Sequence, residues 1–212
     1  SDLPFRLLVR RHGTSAVYSE MLLATRFSRE SSYRTEAFGD GIRSEDHPLI
    51  VQFASNDPQA FVEAALHAQR MGADAVDLNL GCPQHRAREE HYGAWMTDPC
   101  DWDLCCSIVR AAASHPELLI PVTVKIRLQP TLEATIDFAQ RIAASGASLI
   151  AVHGRQRGRE DRRRDGSADL NAIAAVVHSL APYGVPVVTN GNVRCPEDVV
   201  ENLATTGAAG IM

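Results

Sequence analysis

The stretch Gly72-Ala-Asp-Ala-Val-Asp-Leu-Asn-Leu-Gly-Cys-Pro83 holds three signals in a row. Gly72 is the kind of residue that ends a helix. Ala75 to Leu80 reads as a short apolar strand with polar residues admitted at its end. Gly81-Cys-Pro83 then closes it. Gly81 reaches backbone angles that other residues avoid, and Pro83 fixes its own φ and biases Cys82 towards an extended backbone. The combination predicts a rigid turn after a strand, presenting the Cys82 thiol beside the Asn79 carboxamide.

The same rhythm recurs along the chain. Strand-like runs begin at Pro48, Pro121 and Pro186, and others follow the glycines Gly72, Gly146 and Gly207. The two series interleave, so a strand returns at a fairly regular interval. A further strand is read over Ala16 to Met21, preceded by a helix from Leu3 to Arg11 that ends by Gly13. Helical patterns fill the gaps: Asn56-Asp-Pro58 to Met71, Asp101 to Ser114, Thr131 to Ser145, Asp169 to Leu180, and one begun by Pro196-Glu-Asp. The strand runs are apolar throughout, as expected of parallel strands covered on both faces. Seven such strands alternating with helices predict an α/β protein of the (β/α)8 TIM-barrel class, with an open doubly wound sheet as the alternative. The count places a first strand before Ser1 and a last helix after Met212, so residues 1–212 are read as a partial barrel without an internal linker.

Composition narrows the class. With 45% apolar and 22% charged residues the chain is an ordinary globular sequence. No apolar run approaches the roughly 18 residues of a membrane helix, and the N-terminus lacks a secretory pattern. The five cysteines are odd in number and show no C-x-x-C spacing, which argues against a metal site or a disulfide framework. Free thiols suit a reducing compartment, cytosol or nucleus. A formal net charge of −5 argues against non-specific coating of nucleic acid, while leaving room for a local basic patch. Such a patch lies in the loop Gly154 to Gly166, which holds Arg155, Arg157, Arg159, Arg162, Arg163 and Arg164.

Polar residues interrupt five consecutive strands at their C-terminal ends, where barrel active sites are built. They are Gln52; Asn79 with Cys82; Lys125 with Arg127; His153 with Arg155; and Asn190-Gly191-Asn192. Lys125 and Arg127, two apart, project to one side of their strand. Each residue also admits a plain structural role. Gln52 and His153 can be satisfied core groups, Lys125 half of a buried ion pair with Asp77, Cys82 a buried free thiol, and Asn190-Gly191-Asn192 only a turn. Taken together, Lys125 and the Asn190–Asn192 backbone can bind a phosphate, and Gln52 and Lys125 a planar heterocycle. No G-x-G-x-x-G follows a strand. A mononucleotide across the barrel mouth fits best, with flavin mononucleotide (FMN) as the candidate.

At this point the chain resembles a known family. Asp77-Leu-Asn-Leu-Gly-Cys-Pro-Gln84 is similar to the signature of the tRNA-dihydrouridine synthases. Ser1-Asp-Leu-Pro-Phe-Arg6, Asp40 to Phe53, Val124-Lys-Ile-Arg-Leu128, Val152-His-Gly-Arg155 and Asn190-Gly-Asn192 follow in order. His91-Tyr-Gly-Ala94 looks most like the eukaryotic branch that acts on positions 16 and 17 of the tRNA D-loop. The resemblance implies FMN touching Gln52, Lys125, His153, Asn190, Gly191 and Asn192. It implies Asn79 and Arg127 facing the uracil, Arg155 and the arginine-rich loop holding tRNA phosphates, and Cys82 as the catalytic acid. NADPH or NADH would recharge the flavin, hydride would reach C6, and Cys82 would protonate C5 from the opposite face. An unperturbed cysteine, pKa about 8.5, is mostly protonated at pH 7 and suits that task. The family's C-terminal helical tRNA-binding domain is expected to lie outside this chain. Two departures stand out: Arg88-Glu-Glu90 where a basic residue and glycine are usual, and Gln156 where threonine is usual. The rival expectations are another FMN barrel oxidoreductase acting on a free pyrimidine-like molecule, and a flavin-free RNA-binding relative.

Overall fold

The structure is a computed structural model that describes residues 1–158 and 166–212; the expectation for Arg159, Arg162, Arg163 and Arg164 lies outside the described residues. Helix α1 (Leu3–Arg11) starts where Asp2 accepts a hydrogen bond from the Phe5 N–H. The strands β1 (Val17–Tyr18), β2 (Leu22–Leu23), β3 (Leu49–Ala54), β4 (Ala75–Leu80), β5 (Val122–Leu128), β6 (Leu149–Gln156), β7 (Val187–Asn190) and β8 (Gly210–Ile211) form one sheet. Every pairing is parallel and the order is sequential, with β1 and β2 both laid along β3. Between strands run α2 (Ala24–Arg29), α3 (Ser31–Phe38), α4 (Pro58–Arg70), α5 (His85–Glu89), α6 (Trp102–Ala113), α7 (Leu132–Ala144), α8 (Leu170–Leu180) and α9 (Pro196–Thr206). This is the curled parallel sheet with alternating helices of the TIM-barrel class.

One predicted strand is corrected. The run Ala16 to Met21 holds only the two-residue strand β1, and the next piece, β2, begins just beyond it at Leu22. The break has a local cause. The Ser19 hydroxyl accepts from the Gln52 N–H at 3.0 Å, taking a donor that a continuous ladder would use.

The helix ends follow their side chains. Asp57 accepts from the N–H groups of Gln59 and Ala60 to cap α4, Thr131 caps α7 through Ala134, and Asp169 caps α8 through Ala172. After α7, Gly146 (φ +104°) faces α6 so closely that an added Cβ would lie 2.7 Å from the Ala113 Cβ. Aromatic rings fill the layer between sheet and helices: Phe27 packs edge-on against Phe53, Phe53 against Phe61, and Trp102 lies against Phe138. Among the described residues no helix is long and apolar enough to cross a membrane, and no cluster of metal-ligating side chains is found.

Helix α1 is fastened by a buried ion pair. Arg6 Nη2 meets Asp46 Oδ2 at 2.7 Å, with the two residues 4% and 1% exposed, and Arg6 also donates to the Ser1 carbonyl. Arg10 reaches the same carboxylate at 3.4 Å from a more open position. Substituting Asp46→Ala strands the Arg6 guanidinium and is expected to cost about 3–5 kcal/mol. Arg10→Ala should cost no more than about 1 kcal/mol. Urea midpoints of the two variants check this difference.

Candidate active site

The sheet register brings the polar residues together. Gln52 stands opposite Asp77, Asn79 opposite Lys125, Arg127 opposite His153, and His153 opposite Asn190. Each step between β4 and β6 moves two residues further along the neighbouring strand. That stagger is the kind a barrel requires, and it keeps the polar side chains in one slanting band near the C-terminal ends.

A hydrogen-bond chain runs through this band. Thr123 Oγ1 donates to Asp77 Oδ1 (2.6 Å). Gln52 Nε2 donates to Asp77 Oδ2 (2.8 Å), and Asn79 Nδ2 donates to Gln52 Oε1 (2.8 Å). Asn79 Oδ1 then accepts from the Gly81 and Cys82 N–H groups at 3.0 and 2.9 Å. Asn79 therefore fastens the cysteine turn. From the other side, Arg127 Nε donates to the Gly81 carbonyl (2.7 Å) and Nη1 to the Gln156 carbonyl (3.1 Å). Cys82 itself is part-buried and unpaired by disulfide.

Behind Cys82 lies Gly93 (φ +65°). A Cβ there would sit 2.8 Å from the Cys82 carbonyl oxygen and 3.0 Å from its Cβ, while the Ala94 N–H donates to that same carbonyl at 3.0 Å. The His91-Tyr-Gly-Ala94 run thus backs the thiol, a role its sequence did not disclose. Glu89 and Glu90, the departure just before it, meet His85 and Arg86 of α5 at 3.4 and 2.7 Å. Glu90 therefore has a local counter-charge in Arg86, and Glu89 a local partner in the His85 ring.

Lys125 Nζ donates to Asn190 Oδ1 at 2.9 Å, its one hydrogen-bond partner among the described residues. Two of its three N–H donors are thus available to a ligand. Beside it, Arg155 Nη1 contacts His153 Nε2 (3.2 Å) and Nη2 donates to Asn192 Oδ1 (2.9 Å). A guanidinium only donates, so this contact is a hydrogen bond in the tautomer that leaves His153 Nε2 as the acceptor. Asn192 also exchanges two hydrogen bonds with the Ala168 backbone. Gly191 (φ +117°) fits a slot where a Cβ would meet Ala168 at 2.9 Å and Arg155 at 3.1 Å. Asn192 and Arg155 brace the loops; Lys125, Asn190 and Gly191 form the cradle.

Two charged groups lie inside the barrel. Burial pushes the Asp77 carboxyl up to about 6, against the pull of Thr123, Gln52 and the Lys125 charge. Burial pushes Lys125 down to about 8, with Asp77 opposing the shift and Arg127 adding to it. Tyr18 is raised by burial and then by the Asp77 charge. Asp77 entered the sequence reading only as an ion-pair partner of Lys125, and Thr123 did not enter at all. The period-two patterns Asp77-x-Asn79 and Thr123-x-Lys125-x-Arg127 carried the available signal.

With this geometry in hand, comparison with known proteins identifies the group. The fold and the cysteine turn define a TIM-barrel-like enzyme scaffold with its polar set at the strand ends. The chain belongs to the dihydrouridine synthase (Dus) family, whose model matches residues 1–212. It is 43% identical over 212 residues to a mouse protein named tRNA-dihydrouridine(16/17) synthase [NAD(P)(+)]-like, covering 100% of this chain and 43% of that protein. It is 38% identical to the fission yeast tRNA-dihydrouridine(16/17) synthase [NAD(P)(+)], covering 51% of it. The chain spans about half the length of these relatives. Among solved structures, a mandelate oxidase with an FMN adduct superposes with a TM-score of 0.54 at 20% identity, over 80% of this chain and 49% of that one. That likeness concerns the fold.

Two outcomes follow from the site. Asp77 binds its proton more tightly in the folded chain than in the unfolded one. Its contribution to stability is therefore full below about pH 4 and is lost as pH rises through about 6. Lys125 releases its proton more easily when folded, so its contribution is present above about pH 10 and is lost as pH falls through about 8. Denaturation midpoints should pass through a shallow minimum between pH 6 and 8. Asp77→Asn should flatten the acid limb, worth on the order of 2–3 kcal/mol, and move the Lys125 limb to lower pH. Separately, Gly93→Ala should cost about 1–2 kcal/mol for its left-handed backbone alone, with a further penalty from the Cys82 contact. Its alkylation rate at Cys82, followed by peptide mass spectrometry, should differ from the parent's.

Proposed function

We propose that the full-length protein reduces uridines at positions 16 and 17 in the D-loop of tRNA to dihydrouridine, using FMN and NADPH or NADH. The observation that carries this reading is the Cys82 thiol held just past the end of β4, with an ammonium that keeps open donors on the neighbouring strand β5. The names of the mouse and fission yeast relatives support the tRNA substrate and the nicotinamide. The FMN of the structural neighbour supports the flavin. The residues fit such a cofactor. Lys125 and Asn190 suit its polar ring edge or phosphate, Gln52 lies in the same band, and the close packing of Gly191 brings main chain to the cradle.

The chemistry FMN supplies when bound is a hydride for C6 of uracil, drawn from the nicotinamide. The chain's own residues do the rest. Cys82 Sγ holds the proton that is delivered to C5 from the opposite face. Asn79 and Arg127 keep that sulfur in place by holding the backbone on both sides of the turn. One Asn79 amide hydrogen remains beyond its bond to Gln52, and it suits a carbonyl of the base. The uridine must leave its stack to reach the turn, so RNA has to be gripped outside the barrel mouth. Arg155 and Arg157 stand at the start of the basic loop suited to phosphates. All five cysteines are free, which supports a reducing compartment, cytosol or nucleus.

Purified full-length protein should be yellow and should form dihydrouridine in unmodified tRNA. Cys82→Ala should keep the colour and lose about 10²–10⁴-fold in turnover. Full turnover in that variant, or reduction of free uracil with none of tRNA, would overturn the assignment.

A further inference from the structure

Beside the cysteine turn is a second cavity of about 260 Å³. Thr97, Asp98, Leu128, Gln129, Pro130, Gln156, Arg157 and Gly158 line it. Leu128 to Pro130 leave the end of β5 and Gln156 to Gly158 leave the end of β6, so the cavity opens on the C-terminal face. Arg127 links it to the site, holding the Gly81 carbonyl with Nε and the carbonyl of the cavity residue Gln156 with Nη1.

Gln129 is the unusual member of the lining. The residue is only 5% exposed, yet its carboxamide makes no hydrogen bond among the described residues. Its one recorded bond is the backbone N–H to Thr135 Oγ1. Its amide atoms are not among the fully enclosed unpartnered ones of the described residues, so they stay reachable from the cavity. A donor and an acceptor left open in a cavity are complementary to a ligand that presents both. Gln156 adds an acceptor, since its Nε2 is given to the Pro130 carbonyl and its Oε1 is not engaged among the described residues. The size decides between ligands. Pockets for drug-sized molecules run roughly 300–1,000 Å³, so this one suits a single heterocycle better than a dinucleotide.

The rim suits a polyanion. Arg88 and Arg157 lie against the Trp95 ring, their guanidinium carbons 5.3 and 4.5 Å from its centroid. Arg157 also donates to the Ala94 carbonyl and pairs with Asp98 at 3.0 Å, which fixes its plane. Such a stacked guanidinium keeps edge donors for phosphate and a face for a base.

We propose that this cavity is a subsite for the nucleobase next to the target uridine, read by the Gln129 carboxamide. The proposal rests on the RNA substrate of the preceding reading. Turning a uridine out of its stack exposes its neighbour, and enzymes of this kind set substrate choice partly through flanking nucleotides. A pocket linked to the cysteine turn by the Arg127 guanidinium is placed to take that neighbour.

The experiment uses the full-length protein and unmodified tRNA carrying each of the four bases beside the target uridine, on one side and then the other. The wild type is expected to discriminate among them by roughly tenfold in kcat/KM at one side. Gln129→Leu, close in size and apolar at a buried amide without partners, should fold and should flatten that preference through KM. Gln129→Glu should move it towards bases that present an amino donor. A 2-aminopurine placed at the flanking position gives a readout that needs no turnover. Its fluorescence should change on binding the wild type and not on binding Gln129→Leu. If the protein forms no dihydrouridine and the fluorescence still depends on Gln129, the subsite stands and the reaction assignment fails. Equal base preference and equal fluorescence response in the wild type and Gln129→Leu would overturn the subsite. So would a rise in the KM for NADPH alone.

Discussion

The direction of one hydrogen-bond chain governs the centre of this protein. Backbone N–H groups only donate, so Gly81 and Cys82 oblige Asn79 to turn its oxygen towards them. That leaves the Asn79 amino group for the oxygen of Gln52, and the Gln52 amino group for Asp77. The chain needs a pure acceptor at its far end, and an ionised carboxylate is one. The Thr123 hydroxyl then completes the acceptor's second oxygen. Neither amide can flip without leaving two donors face to face in a buried place, a loss of about 1–3 kcal/mol for each stranded group. The placement of a thiol at a strand end is thus tied to a carboxylate deep in the sheet. Protonation of Asp77 does not reverse the chain, because a carboxylic acid still accepts from Gln52 on one oxygen and can donate to Thr123 from the other.

The same register explains why charge is tolerated there. Asp77 and Lys125 stand on adjacent strands, two residues out of step, and each limits the cost of burying the other. Desolvation remains the larger influence on both, so neither is a comfortable ion. A core built for stability alone would have used apolar residues at both positions. Keeping an ammonium with open donors beside the mouth has a cost in folding, and that cost is understandable where a phosphate or an electron-rich ring is to be held.

Much of this was legible in the sequence. The strand rhythm, the caps at Asp57, Thr131 and Asp169, and the collection of polar residues at strand ends all follow from local chemistry, and the structure has them. Three features were not legible, for physical reasons. The break between β1 and β2 depends on the Ser19 hydroxyl meeting a backbone N–H on another strand, and no spacing within Ala16 to Met21 encodes that. The role of Gly93 depends on its approach to Cys82, eleven positions earlier in the chain. The bracing of Asn192 against Ala168 and Arg155 joins two loops to the end of β6, at distances only the fold sets. Periodicity reports which face a side chain takes. It does not report which of its atoms is already engaged.

That distinction bears on Asn79 and Arg127, which the family resemblance placed towards a uracil. In the structure both are also bonded to the backbone of the cysteine turn, Asn79 through its oxygen and Arg127 through Nε. A residue can touch a ligand and hold a turn at once, but the second duty limits how far it can move for the first. Cys82 is consequently gripped from three sides: by Asn79 beneath, by Arg127 beside it, and by Gly93 and Ala94 behind. In the proposed reaction a proton donor that must reach one face of a carbon atom gains from such restraint, because misplacement by an ångström costs far more rate than a small change in acidity. The geometry therefore favours a site tuned by position, with the thiol's surroundings spent on aiming it.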